Sequence, residues 1–388
     1  MNSILSNPAT AAHPFDWTEC LRPKPPVAEA VAALARNAEV VVYGAGGAAE
    51  GLITLLLARG VKIRGVMDSK SKRTEISGYP VLRPNTPVFS TQDREDLPIA
   101  LGIFNAFVDV SALRQDLENQ GWRNIINFEE LHATLPAAFG DRYWLTDRNF
   151  SRSHMPAIME VDRLWADDLS RTLYRRLLRF RASGDRSGLP EPDRARQYFA
   201  ADIPAWKTPL RFVDCGACDG DTVRQIQQLG LPIEALAAFE PDLANFAPLV
   251  KTLSELDGDS VPALAWPCGV GAETRIVRFR ADRGAASALD STGETAVPCV
   301  ALDEVLSGFR PNFIKMDIEG AEKDALTGAR RIIEKHRPGL AICVYHKPVD
   351  LWELPSLVAS WQLDYRFYLR AHQYNDFDVV LYATPQSP

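Results

Sequence analysis

The chain has 388 residues, more than one typical hydrophobic core contains, so two domains are expected. Its hydrophobic fraction of 46% and charged fraction of 24% are ordinary for a globular protein. The net charge of −7 argues against nonspecific binding to nucleic acid or to anionic membranes. No apolar run reaches the ~18 residues of a membrane-spanning helix, and no basic-then-apolar signal sequence begins the chain. We therefore expect a soluble, cytoplasmic protein.

The N-terminal half alternates between predicted strands and helices. Residues 1–26 are rich in proline and are expected to be irregular. A buried strand over residues 40–43 leads into a turn containing Gly44 and Gly46, and a later strand ends at Asp68. Because the alternation continues to about residue 128, residues 27–150 are predicted to form a small doubly wound domain.

A leucine-rich and arginine-rich segment follows, with helical spacing over residues 155–184. Residues 151–194 are therefore predicted to be a helical linker. A second α/β domain is predicted over residues 195–388. Its expected strands are 211–215, 235–239, 263–268, 275–279, 312–317, 340–345, 365–369 and 379–383.

The most informative motif lies at the start of this second domain. A strand ends in a turn containing Gly216 and Gly220, and the next strand ends at Glu240. Such a βαβ unit lets a ligand approach bare backbone, and the distant acid is spaced to bind both hydroxyls of a ribose. A nicotinamide-type nucleotide site and a plain tight turn are the alternative interpretations.

The acids around these glycines indicate the kind of ligand. Asp214, Asp219 and Asp221 would repel a pyrophosphate but suit a cationic nucleoside such as S-adenosylmethionine. Asp214 could face the ammonium group of this donor directly or through water. Asp242, Cys268 and Gly269 are weaker candidates for the adenine rim. The predicted donor-binding residues are Asp214, Gly216, Asp219, Gly220, Asp221, Thr222, Glu240 and Asp242.

The six cysteines do not suggest a disulfide framework. Cys215 and Cys218 have the C-x-x-C spacing of redox proteins, but the flanking acids would raise their thiol pKa values. We expect structural, reduced thiols.

A second dense motif begins with the strand that carries Lys315. Asp317 lies two residues further on the same side of this strand, so it could pair with the lysine, and Asp214 is an alternative partner. His346 follows a later buried strand, where it could accept a hydroxyl proton or simply cap the backbone. His372 is a weaker candidate of the same kind. The predicted catalytic residues are Asp317, Glu319 and His346.

A divalent metal is left open but is not predicted. Asp303, Asp317, Glu319 and Glu322 offer the oxygen ligands that hard cations prefer. Asp303 and Glu322, however, have ready roles as solvated acids at helix starts.

Four segments together resemble the FkbM family of S-adenosylmethionine-dependent methyltransferases: residues 214–222, 239–242, 314–322 and 345–348. The resemblance covers about residues 195–388. It implies a class I methyltransferase fold with a mostly parallel seven-stranded sheet, and methylation of hydroxyl oxygens on sugars or polyketide-type metabolites. By position, it implies that donor contacts come from Asp214, Gly216, Glu240 and Asp242, and acceptor contacts from Asp317, Glu319 and His346. Cys218 and Asp219 depart from the commoner glycine-and-asparagine form of the first motif.

The N-terminal half resembles the Rossmann-like domains that precede acyltransferases acting on nucleotide-linked amino sugars. The resemblance implies that Gly44, Gly46 and Asp68 could hold a nucleotide or sugar-nucleotide, with Ala49 replacing the third glycine. A role in packing or dimerisation alone is an equal alternative.

We therefore predict an α/β protein with two doubly wound, Rossmann-like domains that acts as an O-methyltransferase on a hydroxyl of a sugar or related small molecule. Alternatives are a nicotinamide-dependent oxidoreductase and a noncatalytic sugar-nucleotide-binding protein. The expected partner is a small-molecule or saccharide acceptor. Nucleic acid and membranes are not expected partners, and a homodimer is left open.

Overall fold

The computed structural model describes residues 15–84, 86–204, 206–256, 261–280, 288–289 and 295–386. The expectations for the first 14 residues and for the last two lie outside the described residues. Within the described ranges, no helix has both the length and the apolar composition needed to cross a bilayer.

The N-terminal half is built on a six-stranded sheet. Its strand order is β3-β4-β2-β1-β5-β6, and all neighbouring strands are parallel except β3 and β4. The strands are β1 (Glu39–Tyr43), β2 (Lys62–Met67), β3 (Glu75–Ile76), β4 (Tyr79–Leu82), β5 (Ile99–Leu101) and β6 (Ile125–Ile126). The helices are α1 (Trp17–Cys20), α2 (Ala28–Ala33), α3 (Gly47–Ala58), α4 (Thr91–Asp96), α5 (Val110–Asn119), α6 (Phe128–Thr134) and α7 (Pro136–Phe139).

The predicted linker helix is broken into separate pieces. These are α8 (Phe150–Ser153), α9 (Met155–Asp162) and α10 (Asp168–Ser183), followed by a 3₁₀ turn at Arg194–Arg196. Asp167 caps the N-terminus of α10 by accepting the N–H of Ser170 at 2.7 Å. A new helix therefore begins at this point, and α9 does not continue into α10. The buried face of α10 packs on the C-terminal sheet, and Trp165 forms a β-bridge with Phe367 there.

The C-terminal half contains two further sheets. Its strands are β7 (Leu210–Cys215), β8 (Ile233–Phe239), β9 (Ala263–Trp266), β10 (Gly269–Val270), β11 (Arg275–Arg280), β12 (Ala288–Leu289), β13 (Thr295–Val300), β14 (Phe313–Met316), β15 (Gly339–Cys343), β16 (Tyr365–Ala371) and β17 (Val379–Pro385). Its helices are α11 (Asp221–Gln228), α12 (Leu243–Ser254), α13 (Leu302–Val305), α14 (Glu322–Gly328), α15 (Arg330–His336) and α16 (Asp350–Ser360).

The larger sheet has seven strands in the order β16-β17-β15-β14-β7-β8-β9, with only β17 antiparallel to its neighbours. This confirms the predicted mostly parallel seven-stranded sheet. The predicted strand at 275–279 lies instead in a separate four-stranded sheet with β10, β12 and β13. The sequence did not predict β13, because Pro298 lies within it and proline normally argues against a strand.

Apolar side chains cover both faces of the seven-stranded sheet. On β7, Val213 and Cys215 belong to one buried cluster, and Phe212 belongs to the other. Strand order reverses between β7 and β14, so their carboxyl ends leave a crevice between them. The fold therefore brings the residues after β7, β8 and β14 to one edge of the sheet.

Candidate active site

The turn after β7 requires glycine at its first position. Gly216 has a φ of +79°, and its N–H donates to the carbonyl of Phe239 at 3.0 Å. A Cβ on Gly216 would lie 1.9 Å from the carbonyl oxygen of Asp317, which follows β14. The glycine is therefore needed for two strand ends to meet.

Replacing Gly216 with Ala is expected to destabilise the fold by more than the ~1–2 kcal/mol that a left-handed backbone costs a residue with a side chain. The added methyl group would also collide with a backbone carbonyl. Gly230→Ala is the matched control, because Gly230 has a φ of +65° but no heavy atom within 4 Å of its added Cβ. Urea unfolding of both variants measures the difference, and equal losses would contradict this account.

Glu240 follows β8 and is held by the backbone. Its Oε2 accepts the N–H of Cys218 at 2.9 Å, and its Oε1 accepts the N–H of Asp242 at 2.8 Å. Burial raises the pKa of Glu240 above its ordinary value. Each oxygen keeps capacity for a further hydrogen bond, which suits the predicted pairing with a ribose diol. Asp242 itself caps α12 by accepting the N–H of Ala244 at 2.9 Å.

A cavity of about 510 Å³ lies at this edge of the sheet. It is lined by five of the predicted site residues: Gly216, Asp221, Glu240, Asp317 and Glu319. Cys268 and Gly269, two of the weaker candidates for the adenine rim, also line it. The structure therefore brings some of the predicted donor residues and two of the predicted acceptor residues to a single cavity.

Three predicted residues of the first motif have other surroundings and do not line this cavity. The carboxylate of Asp219 pairs with Arg224 at 2.7 Å. Gly220 precedes α11 with a φ of +85°, and a Cβ there would lie 2.8 Å from Thr252. Thr222 is buried in the first turn of α11.

Asp214 and Lys315 form a buried ion pair between neighbouring strands. Lys315 Nζ lies 3.0 Å from Asp214 Oδ1 and donates to the carbonyl of Gly216 at 2.5 Å. Burial raises the pKa of Asp214 to about 6, although the charge of Lys315 opposes this. Of the two partners considered for Lys315, the structure pairs it with Asp214. Because Asp214 does not line the cavity, the geometry does not support its direct contact with the ammonium group of a donor.

The loop after β14 is anchored by Glu322. This residue begins α14 and is fully buried, so the expectation of a solvated helix-start acid was wrong. Its Oε1 accepts both the N–H of Ile318 at 2.9 Å and Nδ1–H of His346 at 2.8 Å. Glu319 lies in the loop between Ile318 and Glu322 and has a φ of +55°, a backbone conformation that is strained for a residue with a side chain.

His346 lies among three carboxylates. Its Nε2 is 3.3 Å from Asp317 Oδ1 and 3.9 Å from Glu319 Oε1. Burial alone would lower the pKa of His346, but the charges of Glu322, Asp317 and Glu319 raise it well above its ordinary range. The ring therefore holds its proton at neutral pH, which differs from the expectation that it accepts one from a hydroxyl. His346 does not line the cavity, and its contacts position the carboxylates that do.

Asp317 and Glu319 differ in their affinity for a proton. Burial would raise the pKa of Asp317, but the facing His346 and the charge of Lys315 lower it below its ordinary value. Tyr198 also donates its hydroxyl to Asp317 Oδ2 at 2.6 Å. Burial raises the pKa of Glu319 to about 7, and His346 only partly opposes this. Asp317 is thus a fixed anion, and Glu319 is the group that can gain and lose a proton near neutral pH.

Sequence reasoning missed the residues that close the cavity from outside the motifs. Tyr143, Tyr198, Asp378 and residues 104–107 all line it. They come from segments that carry no recognisable motif, so no sequence signal pointed to them. The weaker candidate His372 is buried elsewhere, between the carbonyl of Asp193 at 2.6 Å and the hydroxyl of Tyr382 at 2.7 Å.

The acidic residues and the cysteines form neither a metal site nor a redox pair in the described part of the chain. In the part of the chain that the structure describes, no group of three or more His, Cys, Asp or Glu side chains is placed to hold a metal ion. Asp303 instead accepts the N–H groups of Arg331 and Ile332. None of the six cysteines forms a disulfide, and burial raises the pKa of the cavity-lining Cys218 to about 11, so its thiol is unreactive.

A second cavity, of about 910 Å³, lies in the N-terminal half beside Gly46 and Asp68. The Asp68 carboxylate accepts three backbone N–H groups, from Ala45 at 2.9 Å and from Lys70 and Ser71 at 2.7 Å. These bonds use most of its acceptor capacity, which argues against a ribose diol at this position. Whether this cavity binds a nucleotide or sugar-nucleotide stays a prediction.

Comparisons with known proteins agree with this architecture. Residues 214–374 match the family model described as "Methyltransferase FkbM domain". The chain is also similar to the crystal structure of methyltransferase FkbM from Methylobacillus flagellatus KT, with a TM-score of 0.73, 24% identity, and coverage of 94% of this chain and 95% of that chain. At this identity, the structural likeness shows the fold alone. No curated protein matches the chain.

Two other solved structures are too different to carry an argument. A putative rRNA-methylase from Clostridium thermocellum has a TM-score of 0.29 and 10% identity, covering 45% of this chain and 86% of that chain. The LepI complex with SAM has a TM-score of 0.26 and 10% identity, covering 71% of this chain and 63% of that chain. The family model nevertheless confirms, over residues 214–374, the resemblance predicted from the motifs.

Proposed function

We propose that the protein is an S-adenosylmethionine-dependent O-methyltransferase that acts on a hydroxyl of a sugar or related small molecule. The observation that carries this proposal is the single cavity lined by both Glu240 and Glu319. One carboxylate is anchored by two backbone N–H groups, as a diol receptor requires. The other lies in the acidic loop after β14, where a proton acceptor is needed.

The residues at the donor end fit S-adenosylmethionine. Glu240 offers two fixed acceptor oxygens for the ribose, and Cys268 and Gly269 line the same cavity, where the base would lie. When bound, the donor supplies a methyl group on a positively charged sulfur. The lining carboxylates of Asp221 and Asp317 favour a cation in this cavity.

At the acceptor end, the chain's own residues supply a base and hold it in place. Glu319 would accept the proton of the acceptor hydroxyl, whose oxygen the bound donor would methylate. The protonated His346 and the anion of Asp317 keep the loop in position. A base whose pKa lies near the working pH supports acceptors that must lose a proton, such as hydroxyls.

Calorimetry with S-adenosylmethionine and adenosylhomocysteine tests the donor half of the proposal. We expect dissociation constants below millimolar for both. Incubation with methyl-labelled donor and fractionated saccharide-containing metabolites tests the acceptor half, with label expected on a hydroxyl oxygen. Absence of binding would overturn the proposed cofactor, and label on nitrogen or carbon would overturn the proposed O-methylation.

A further inference from the structure

Besides the residues of the motifs, the cavity is lined by two segments that are distant in sequence. Residues 104–107 come from the N-terminal half, between β5 and α5. Gln373, Phe377 and Asp378 come from the loop between β16 and β17. We call these two segments together the outer wall. Neither was identified by a motif, and neither has a part in the chemistry described above.

The two segments of the outer wall are fixed to each other by hydrogen bonds. Asn375 Nδ2 donates to the carbonyls of Asn105 at 2.8 Å and Val108 at 2.7 Å. The N–H of Tyr374 donates to the carbonyl of Ala106 at 3.2 Å. The position of the N-terminal loop over the cavity is therefore determined by the C-terminal half.

The outer wall presents one hydrogen-bond acceptor that has no partner among the described residues. Gln373 Oε1 is buried yet has no hydrogen-bond partner anywhere in the described chain. A buried acceptor without a partner is destabilising, and Gln373 lines the cavity, where a donor group of a ligand would relieve this cost. Asp378 lines the same wall; its carboxylate is hydrogen-bonded to Tyr345 and keeps capacity to accept further hydrogen bonds. Asn375, Asp376 and Asp378 all have positive φ values, +61°, +63° and +46°, a backbone strain that clusters at functional sites.

An aromatic ring completes the outer wall. Phe107 is 71% exposed, although it lines the cavity and other aromatic side chains nearby are packed. Phe104, for comparison, lies 5.0 Å from Phe377, ring centre to ring centre. The exposed ring of Phe107 lines the same cavity as the acceptors of Gln373 and Asp378. This combination matches the surface of a pyranose, which has an apolar C–H face and a rim of hydroxyl donors.

We infer that the outer wall is the acceptor-recognition surface, on which Phe107 packs against the C–H face of a saccharide ring while Gln373 Oε1 and Asp378 accept its hydroxyls. This inference rests on the proposed function and deepens it. It makes Phe107 and Gln373 specificity-determining residues, and it assigns a role in acceptor choice to the N-terminal half. Donor binding does not depend on either residue.

The test measures the KM of a saccharide acceptor, identified with labelled donor, in paired variants of the full chain. Phe107→Leu is expected to raise this KM roughly 2- to 10-fold, and Phe107→Trp to restore it. Gln373→Leu is expected to raise it by on the order of tenfold, whereas Gln373→Glu keeps an acceptor oxygen and should stay near wild type. The affinity for adenosylhomocysteine should not change in any of them. Ile276→Ala is the control, because Ile276 is similarly exposed, at 69%, and does not line the cavity.

Two results would overturn the inference. The first is an unchanged KM in both Phe107→Leu and Gln373→Leu while the wild type methylates the saccharide. The second is a parallel loss of adenosylhomocysteine affinity, which would indicate general damage to the cavity. If the wild type transfers no methyl group to any saccharide, the proposed function fails separately. Saturation-transfer NMR of saccharide binding to the same variants then still decides the inference, which fails if the wild type does not bind.

Discussion

Replacing Glu319 with Gln is expected to lower kcat by roughly 10²- to 10⁴-fold, the usual contribution of a positioned general base. The amide has nearly the same shape but cannot accept the hydroxyl proton. Because the pKa of Glu319 is raised to about 7, the wild-type rate should rise with pH below neutrality and level off above it. The variant should lose this dependence. Steady-state kinetics between roughly pH 5.5 and 9 give both kcat and its pH dependence. The pH values should be closely spaced within about one pH unit of the inflection.

The binding of adenosylhomocysteine separates catalysis from donor binding in this experiment. Its affinity should be the same in Glu319→Gln and in the wild type. Glu118→Gln is the control, because Glu118 lies on the exposed surface of α5, paired with Arg114 at 3.0 Å. A Glu319→Gln variant with an unchanged rate and pH profile would show that another group accepts the proton.

Replacing Glu240 with Ala is expected to weaken adenosylhomocysteine binding by on the order of 100-fold or more, since two hydrogen bonds to a charged group would be lost. Glu240→Gln keeps one acceptor oxygen and should bind with intermediate affinity. Calorimetry gives the affinities. Thermal unfolding measured in parallel shows how far the lost bonds to the N–H groups of Cys218 and Asp242 loosen the site.

Glu234→Ala is the matched control for this result. Glu234 lies on the same strand as the residues leading to Glu240, but it is exposed and pairs with Arg211 at 2.8 Å, away from the cavity. The control should bind adenosylhomocysteine normally. Full affinity in Glu240→Ala would mean that the donor ribose is held elsewhere.

Much of the C-terminal fold could be predicted from the sequence because its strands are short apolar runs that end in acids or glycines. Gly216, Glu240, Asp317 and Glu319 come together because each directly follows or lies near the end of a parallel strand, and those ends share one edge. Strand β13 could not be predicted, because its exposed positions and Pro298 conceal the pattern.

The electrostatics of the site could not be predicted in the same way. The protonation of His346 depends on three carboxylates placed around it by tertiary structure, and one of them, Glu322, reads in the sequence as an ordinary helix-start acid. The pairing of Asp214 with Lys315 likewise depends on which strands are neighbours. A cytoplasmic location and a homodimer remain predictions.

The bonds from Asn375 to the carbonyls of Asn105 and Val108 have a consequence for how such a chain can diversify. They hold main-chain atoms, so the exposed side chain of Phe107 can change without loosening the attachment. Phe104 and Asn105 are less free, because Phe104 packs on Phe377 and Asn105 Oδ1 accepts the N–H groups of Phe107 and Val108. Substrate preference could then drift through substitutions at Phe107 alone, while the nucleoside end of the cleft is left untouched.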